Sequence, residues 1–164
     1  MTVVCDASPL IFLAKTNRLA IVPALLGKDI VVLDCVVKEL LHERAGPVET
    51  HRLRAFLAGT SRPSWKGPLE ASLALSISDQ SSLSWAIENK AAWLVADERL
   101  LRRVARDHGI AVVGFCGLLV QASRSGLLGR DQVRTDLDQA ISRHGFRISV
   151  RLYREILTSL EGDR

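Results

Sequence analysis

Hydrophobic positions along this chain follow two alternating rhythms. Short apolar runs rich in β-branched residues occupy 2–5, 30–33, 93–96 and 110–113. Each is bounded by polar residues or glycine and predicts a buried strand. Between them the apolar positions take helical spacing. Ser8 as a hydroxyl cap and Pro9 as the first helical residue predict a helix to about Arg18. A short helix over 19–26 is stopped by Gly27. Asp34 is positioned to cap a helix that carries Val36, Val37, Leu40 and Leu41 and is broken at Gly46-Pro47. A further helix is predicted over 48–57, then a Gly/Ser/Pro-rich loop over 59–68 with weak strand character around Trp65, then a short helical stretch over 69–75. Ser78 is read as the cap of a helix over 79–89, and Glu98 to His108 forms another, closed by Gly109. Beyond the fourth strand the pattern is wholly helical, at 117–123, 130–143 and 150–160, with Gly126, Gly129 and Gly145 as separators. Strands alternating with helices predict an α/β fold with a central parallel sheet covered on both faces.

Four acids change the picture. Asp6 and Asp97 each end a predicted strand, while Glu39 and Asp79 lie in helices that follow predicted caps. In an α/β protein the carboxyl ends of parallel strands share one edge, and ligands bind there. Carboxylates gathered at that edge repel one another unless a cation sits among them. The cluster therefore points to hard, oxygen-liganded Mg²⁺ or Mn²⁺ serving phosphate chemistry. Each acid also has a plain structural role available. Asp6 can bond its own turn, Glu39 can be solvated, Asp79 can answer the helix dipole, and Asp97 can cap a helix that Glu98 complements. The weight lies in Asp6 and Asp97 terminating two different strands.

Arg99, Arg102, Arg103 and Arg106 fall at i, i+3, i+4 and i+7, one face of the helix that starts after Asp97, with Leu100, Leu101, Val104 and Ala105 opposite. A basic stripe leading away from an acid cluster suits a phosphate backbone; an ordinary solvated face is the competing reading. Ser8 caps its helix, or orients Asp6 or a metal-bound water. His42, His51, His108 and His144 have no spacing suited to a metal or a triad and are read as structural. Trp65, Trp85 and Trp93 are read as core.

Composition narrows the class. Across 164 residues, 48% hydrophobic content describes a globular chain of one domain. Net charge is +4, which permits a polyanionic partner without requiring one. No apolar run is long enough to span a bilayer and no leader pattern precedes Asp6, so a cytoplasmic protein with no membrane partner is expected. Cys5, Cys35 and Cys116 read as buried thiols of a reducing compartment, with no zinc spacing.

In their order along the chain, VVCDASPLIFLAKTNRL, VVLDCVVKELL, SDQSSLSWAIENKAAWLVADERLLRRVARDHGIAVVG and HGFRISVRLYREIL resemble the PIN-domain nucleases, within them the small prokaryotic DUF3368 group. The resemblance covers nearly the whole chain. It implies a three-layer α/β/α fold, one PIN-like domain over 1–164, with an α/β core to about 115 and a helical extension over about 116–164. It also implies a metal site at the strand ends and endoribonuclease activity. Asp6, Glu39, Asp79 and Asp97 carry over as catalytic and metal-holding acids, with Glu98 as a possible fifth and Asp34 undecided. Ser8, Arg99, Arg102, Arg103 and Arg106 are the expected substrate contacts. Many such proteins are toxins paired with a small antitoxin, and many are homodimers; both are implied here by resemblance alone. Where the group usually has Gly-Glu this chain has Ser78-Asp79, a carboxylate about one methylene shorter that a water can bridge to a metal. Where the group has paired aspartates this chain has Asp97-Glu98. Where it often has proline this chain has Leu33 and Asp34.

Two rivals remain at this level. A phosphatase of the haloacid-dehalogenase kind also places Asp after its first strand, but it needs a second Asp two positions on, where Ser8 stands. A non-catalytic PIN-like module that grips nucleic acid or a partner is the alternative of a different class. Apolar positions in the tail, such as Leu118, Val133, Leu152 and Ile156, serve a partner surface or the core equally well.

Overall fold

The computed structural model describes residues 1–42, 44–70 and 74–162. Its centre is β1 (Val3–Cys5), buried along its whole length. A strand covered on both faces must be apolar at every position, and this is why the run carries no alternation. β1 is followed by α1 (Ala7–Lys15) and α2 (Ile21–Leu26), and β2 (Ile30–Val31) by α3 (Asp34–Leu40), α4 (Pro47–Leu57) and α5 (Ile77–Glu88). β3 (Trp93–Val95) leads to α6 (Arg99–Asp107), and β4 (Ala111–Val113) to α7 (Phe115–Arg124), α8 (Arg130–His144) and α9 (Val150–Glu161).

Among the described residues the strands form a four-stranded sheet in the order β2-β1-β3-β4. Every pairing is parallel, with Val4 opposite both Val31 and Leu94, and Leu94 opposite Val112. The chain leaves β1 toward β2 but leaves β3 in the other direction, toward β4. Right-handed crossovers running in opposite directions put their helices on opposite faces. Accordingly α1 packs with α7 on one face, and α5 packs with α6 on the other. The reversal falls between β1 and β3. Such a switch point opens a crevice at the strand carboxyl ends.

The C-terminal helices close over the α1 face. Phe12 of α1, Phe115 of α7 and Phe146 after α8 form a ring trio, with centroids 4.8–5.7 Å apart. Arg18 clamps the nearly buried Asp136 of α8 with Nε–Oδ2 at 2.6 Å and Nη2–Oδ1 at 3.3 Å. α8 ends where Gly145 takes φ +71°, the left-handed turn that glycine makes without strain. No helix among the described residues is long and apolar enough to cross a membrane.

Element ends differ from the sequence reading. α1 begins at Ala7 with Asp6 in the N-cap position, so Ser8 lies inside the first turn. Pro9 fits there because the first helical N–H groups have no carbonyl partner. Ser76, not Ser78, caps α5, because its Oγ reaches the N–H of Asp79 at 3.1 Å. Leu33 takes the N-cap position of α3 and Asp34 becomes its first helical residue. β2 stops at Val31. Strand pairing beside it occurs at Ser61, in a single parallel bridge to Val31, and not at Trp65. Trp65 instead donates from Nε1 to the Pro68 carbonyl. Of the short helix expected over 69–75, residues 71–73 lie outside the described residues, while Leu69, Glu70, Ala74 and Leu75 are not helical. All three tryptophans are half-buried against the core. The three cysteines are free thiols, Cys5 fully buried and the other two half-buried.

Candidate active site at the strand ends

Asp6 is the first residue beyond β1. Its N–H donates to the Val95 carbonyl of β3 at 2.9 Å, which pins it at the switch point. Although it stands at the N-cap, its side chain makes no cap hydrogen bond to α1. The carboxyl turns instead toward α5 and is only 3% exposed. There it forms a side-chain hydrogen bond with Asp79, and Ser82 Oγ approaches Oδ1 at 3.5 Å. Burial, then the Asp79 contact and charge, then the more distant charge of Glu39 push the Asp6 carboxyl up to about 8, against the pull of the Ala7 N–H. Buried beside a second carboxylate, the Asp6 carboxyl keeps its proton, because like charges in contact disfavour its ionised form.

Asp79 is half-buried in the first turn of α5. It is aimed at β1 because Ser76 fixes where the helix starts. Ser82, at i+3 on the same face, completes the wall.

Asp97 lies two residues past β3. Its Oδ1 accepts the Phe115 N–H at 2.9 Å, the first amide of α7. Its Oδ2 accepts from Ser8 Oγ at 3.3 Å. Ser8 thus serves Asp97, and its hydroxyl links the Asp6 loop to the β3 loop. Burial raises the Asp97 carboxyl above its ordinary range, while the Phe115 amide, Ser8 and the Arg102 charge act against that rise. Cys116, also beside Asp97, is a thiol pushed up to about 12 by burial and then by that carboxylate, so it is protonated and inert as a nucleophile at neutral pH.

Glu39 is solvent-exposed on α3 and forms one wall of a cavity of about 210 Å³. It acts on Asp6 through charge and stands apart from the contact pair. Glu98 is exposed and engaged by its own helix. Its Oε2 takes the Leu101 N–H at 2.6 Å and caps α6, the role that sequence offered to Asp97. Asp34 is held at 2.7 Å by Ser64 Oγ, and this hydrogen bond lowers its carboxyl below the usual range.

The arginine stripe divides in two. Arg99, Arg103 and Arg106 are exposed, whereas Arg102 is half-buried and its Nε is buried with no hydrogen-bond partner. The structure therefore joins Asp6 to Asp79, ties Asp97 to Ser8 of the Asp6 loop, and engages Glu98 and Asp34 in hydrogen bonds of their own. Sequence reading missed Ser82, Gly114 and the Phe115 amide. The i+3 spacing from Asp79 was a usable signal for Ser82, but a main-chain donor leaves no mark in side-chain identity.

Among the described residues, no three His, Cys, Asp or Glu side chains converge closely enough to cage an ion. The donors are nonetheless hard carboxylate oxygens. Mg²⁺ is commonly held through one or two carboxylates, with water and substrate phosphate filling its octahedron. Asp6 and Asp79 fit that partial site; they do not form an all-protein cage.

A family model described as DUF3368: PIN domain matches residues 2–162. The chain belongs to this PIN-domain family. No curated protein matches it. Among solved structures, this PIN domain is similar to a PilT N-terminus domain protein from the hyperthermophilic archaeon Sulfolobus solfataricus P2, with a TM-score of 0.55 and 16% identity over 74% of this chain and 92% of that one. At that identity the likeness is one of fold. Family membership places the PIN domain among nucleases in the broad sense, and its strand-end acids occupy the crevice that the fold provides.

Proposed function

We propose that this PIN domain is a metal-dependent endoribonuclease that hydrolyses RNA phosphodiester bonds, with Mg²⁺ or Mn²⁺ as its cofactor. The observation that carries the reading is the Asp6–Asp79 contact at the switch point, with Asp6 buried and no cationic side chain acting on it among the described residues. A divalent ion held there would supply positive charge that favours the ionised carboxylates and would polarise a phosphoryl oxygen. Asp6 and Asp79 would hold it. Asp97, fixed by Phe115 and Ser8, would hold a water or the ion. Glu39, exposed at the mouth, orients the attacking water and takes up its proton. Arg99, Arg103 and Arg106 line the approach for the phosphate backbone. A role as the toxin of a toxin–antitoxin pair extends the same reading and would show as growth arrest that depends on Asp6.

The test is cleavage of a mixed single-stranded and structured RNA pool with Mg²⁺, with Mn²⁺ and with EDTA, beside Asp6→Asn. Metal-dependent cleavage that the variant lacks supports the nuclease. The second reading, a non-catalytic module that grips nucleic acid, has one observation in its favour: no three ligating side chains converge among the described residues. RNA binding without turnover in any metal would select it.

A further inference from the structure

Gly114, the residue between β4 and α7, has φ −106° and ψ −174°, an extended conformation open to any L residue. Its backbone does not need glycine; the space beside it does. A Cβ built there would collide with Asp97 Oδ1, and would lie 3.2 Å from the Ala96 carbonyl oxygen and 3.4 Å from Arg102 Nη1. The Asp97 carboxylate fills the position a side chain would take. It is drawn there by the first amide of α7, the positive end of a helix dipole, and by the half-buried Arg102 guanidinium. This seat commits Oδ1 to the Phe115 amide and leaves Oδ2 to Ser8, the hydroxyl two residues after Asp6.

We propose that Gly114 is a positioning residue of the acid site: its missing side chain seats Asp97 on the N-terminus of α7 and so sets which carboxylate oxygen faces the crevice. The proposal rests on the nuclease reading only for its consequence in catalysis; the seat itself is a matter of geometry. The partner groups of carboxylate ligands are known to be worth about 10–100-fold in metal affinity.

The test compares Gly114→Ala, Asp97→Ala, the double variant and Gly117→Ala. Gly117 is the control because a Cβ there meets Val113 Cγ2 at 2.9 Å and nothing in the acid site. Three readouts are taken: the amide resonance of Phe115, calorimetric Mn²⁺ affinity, and RNA cleavage. Gly114→Ala is expected to move the Phe115 resonance and to lower Mn²⁺ affinity and cleavage by about tenfold or more. Adding it to Asp97→Ala should lower Mn²⁺ affinity and cleavage no further, since the collision partner is gone. An unchanged Phe115 resonance in Gly114→Ala overturns the proposal, and so do losses that add to those of Asp97→Ala. If wild-type protein neither binds Mn²⁺ nor cleaves, the nuclease reading falls while the Phe115 resonance still decides the seat. If Gly114→Ala fails to fold, the double variant decides. Recovery of folding supports the Asp97 collision, and continued failure assigns Gly114 to packing against Ala96 and overturns the proposal.

Discussion

Asp6 of the β1 loop and Asp79 of α5 are joined by a side-chain hydrogen bond, 73 positions apart in sequence. Two carboxyls can share such a bond only while one is protonated. Asp6 is therefore held protonated beside Asp79 at the point where the fold opens its crevice.

The first consequence concerns Asp6→Asn. The amide keeps the size of the carboxyl and removes one of two repelling groups. Cleavage should fall to background, while metal-free stability holds or rises by about 1 kcal/mol, roughly 2–4 °C in Tm for a chain of this size. Thermal melts in EDTA beside RNA cleavage check both halves. A variant that melts early and still cleaves would falsify the site assignment.

A second consequence is a pH dependence of unusual sign for an acid. The folded Asp6 carboxyl titrates at about 8, far above its ordinary 3.8, so the folded chain keeps a proton that the unfolded chain has released. Stability from this source is fully present below about pH 4 and is lost as pH rises through 8. Asp97, also raised, adds in the same direction. Tm in EDTA should decline from pH 5 to pH 8, and Asp6→Asn should flatten the decline. Mg²⁺ or Mn²⁺ binds the deprotonated pair, so the Tm gain on adding metal should grow over the same interval. A gain that shrinks with pH argues against metal at this pair.

The divided arginine face leads to a third. Arg99, Arg103 and Arg106 stand in solvent and are placed for phosphate contacts, while Arg102 is committed beside Asp97. Replacing the three exposed arginines with alanine should weaken single-stranded RNA binding and reduce the slope of log K against log salt by about 2, near 0.7 per contact. Mn²⁺ affinity should not move. Filter binding across a salt series reads the slope directly.

The Arg18–Asp136 clamp supports a stability prediction away from the crevice. Asp136 retains 8% side-chain exposure, so Arg18→Ala leaves a buried charge without its partner. The expected loss is about 3 kcal/mol in urea unfolding. Arg18→Met combined with Asp136→Leu should lose less than Arg18→Ala alone, because the uncompensated charge is gone.

The strands were legible because parallel strands buried on both faces leave unbroken apolar runs, and the residue ending each run then falls at the shared edge. This is how Asp6 and Asp97 could be singled out. Caps were less legible. Ser76 and Ser78 are chemically the same, and only the path of the chain into α5 decides which hydroxyl reaches the Asp79 amide. The Asp97-Glu98 pair shows the same limit. Either acid suits a helix start, and the longer Glu98 side chain takes the cap, which frees Asp97 to turn inward. Arg102 looks like its neighbours in a helical projection. What sets it apart is the space over Gly114, which comes from a different strand-helix junction.

Phe115 carries two duties in one residue: its amide bonds Asp97, and its ring packs on Phe12 and Phe146. Phe12 rides on the helix that begins beside Asp6. The rings thus act as a spacer gauge for the gap between the two acid-bearing loops, and one leaf of that gauge comes from beyond α8. Wear on it, such as a smaller side chain at Phe146, would be felt first as slack in the jaws of the crevice, before any loss of the sheet that carries them.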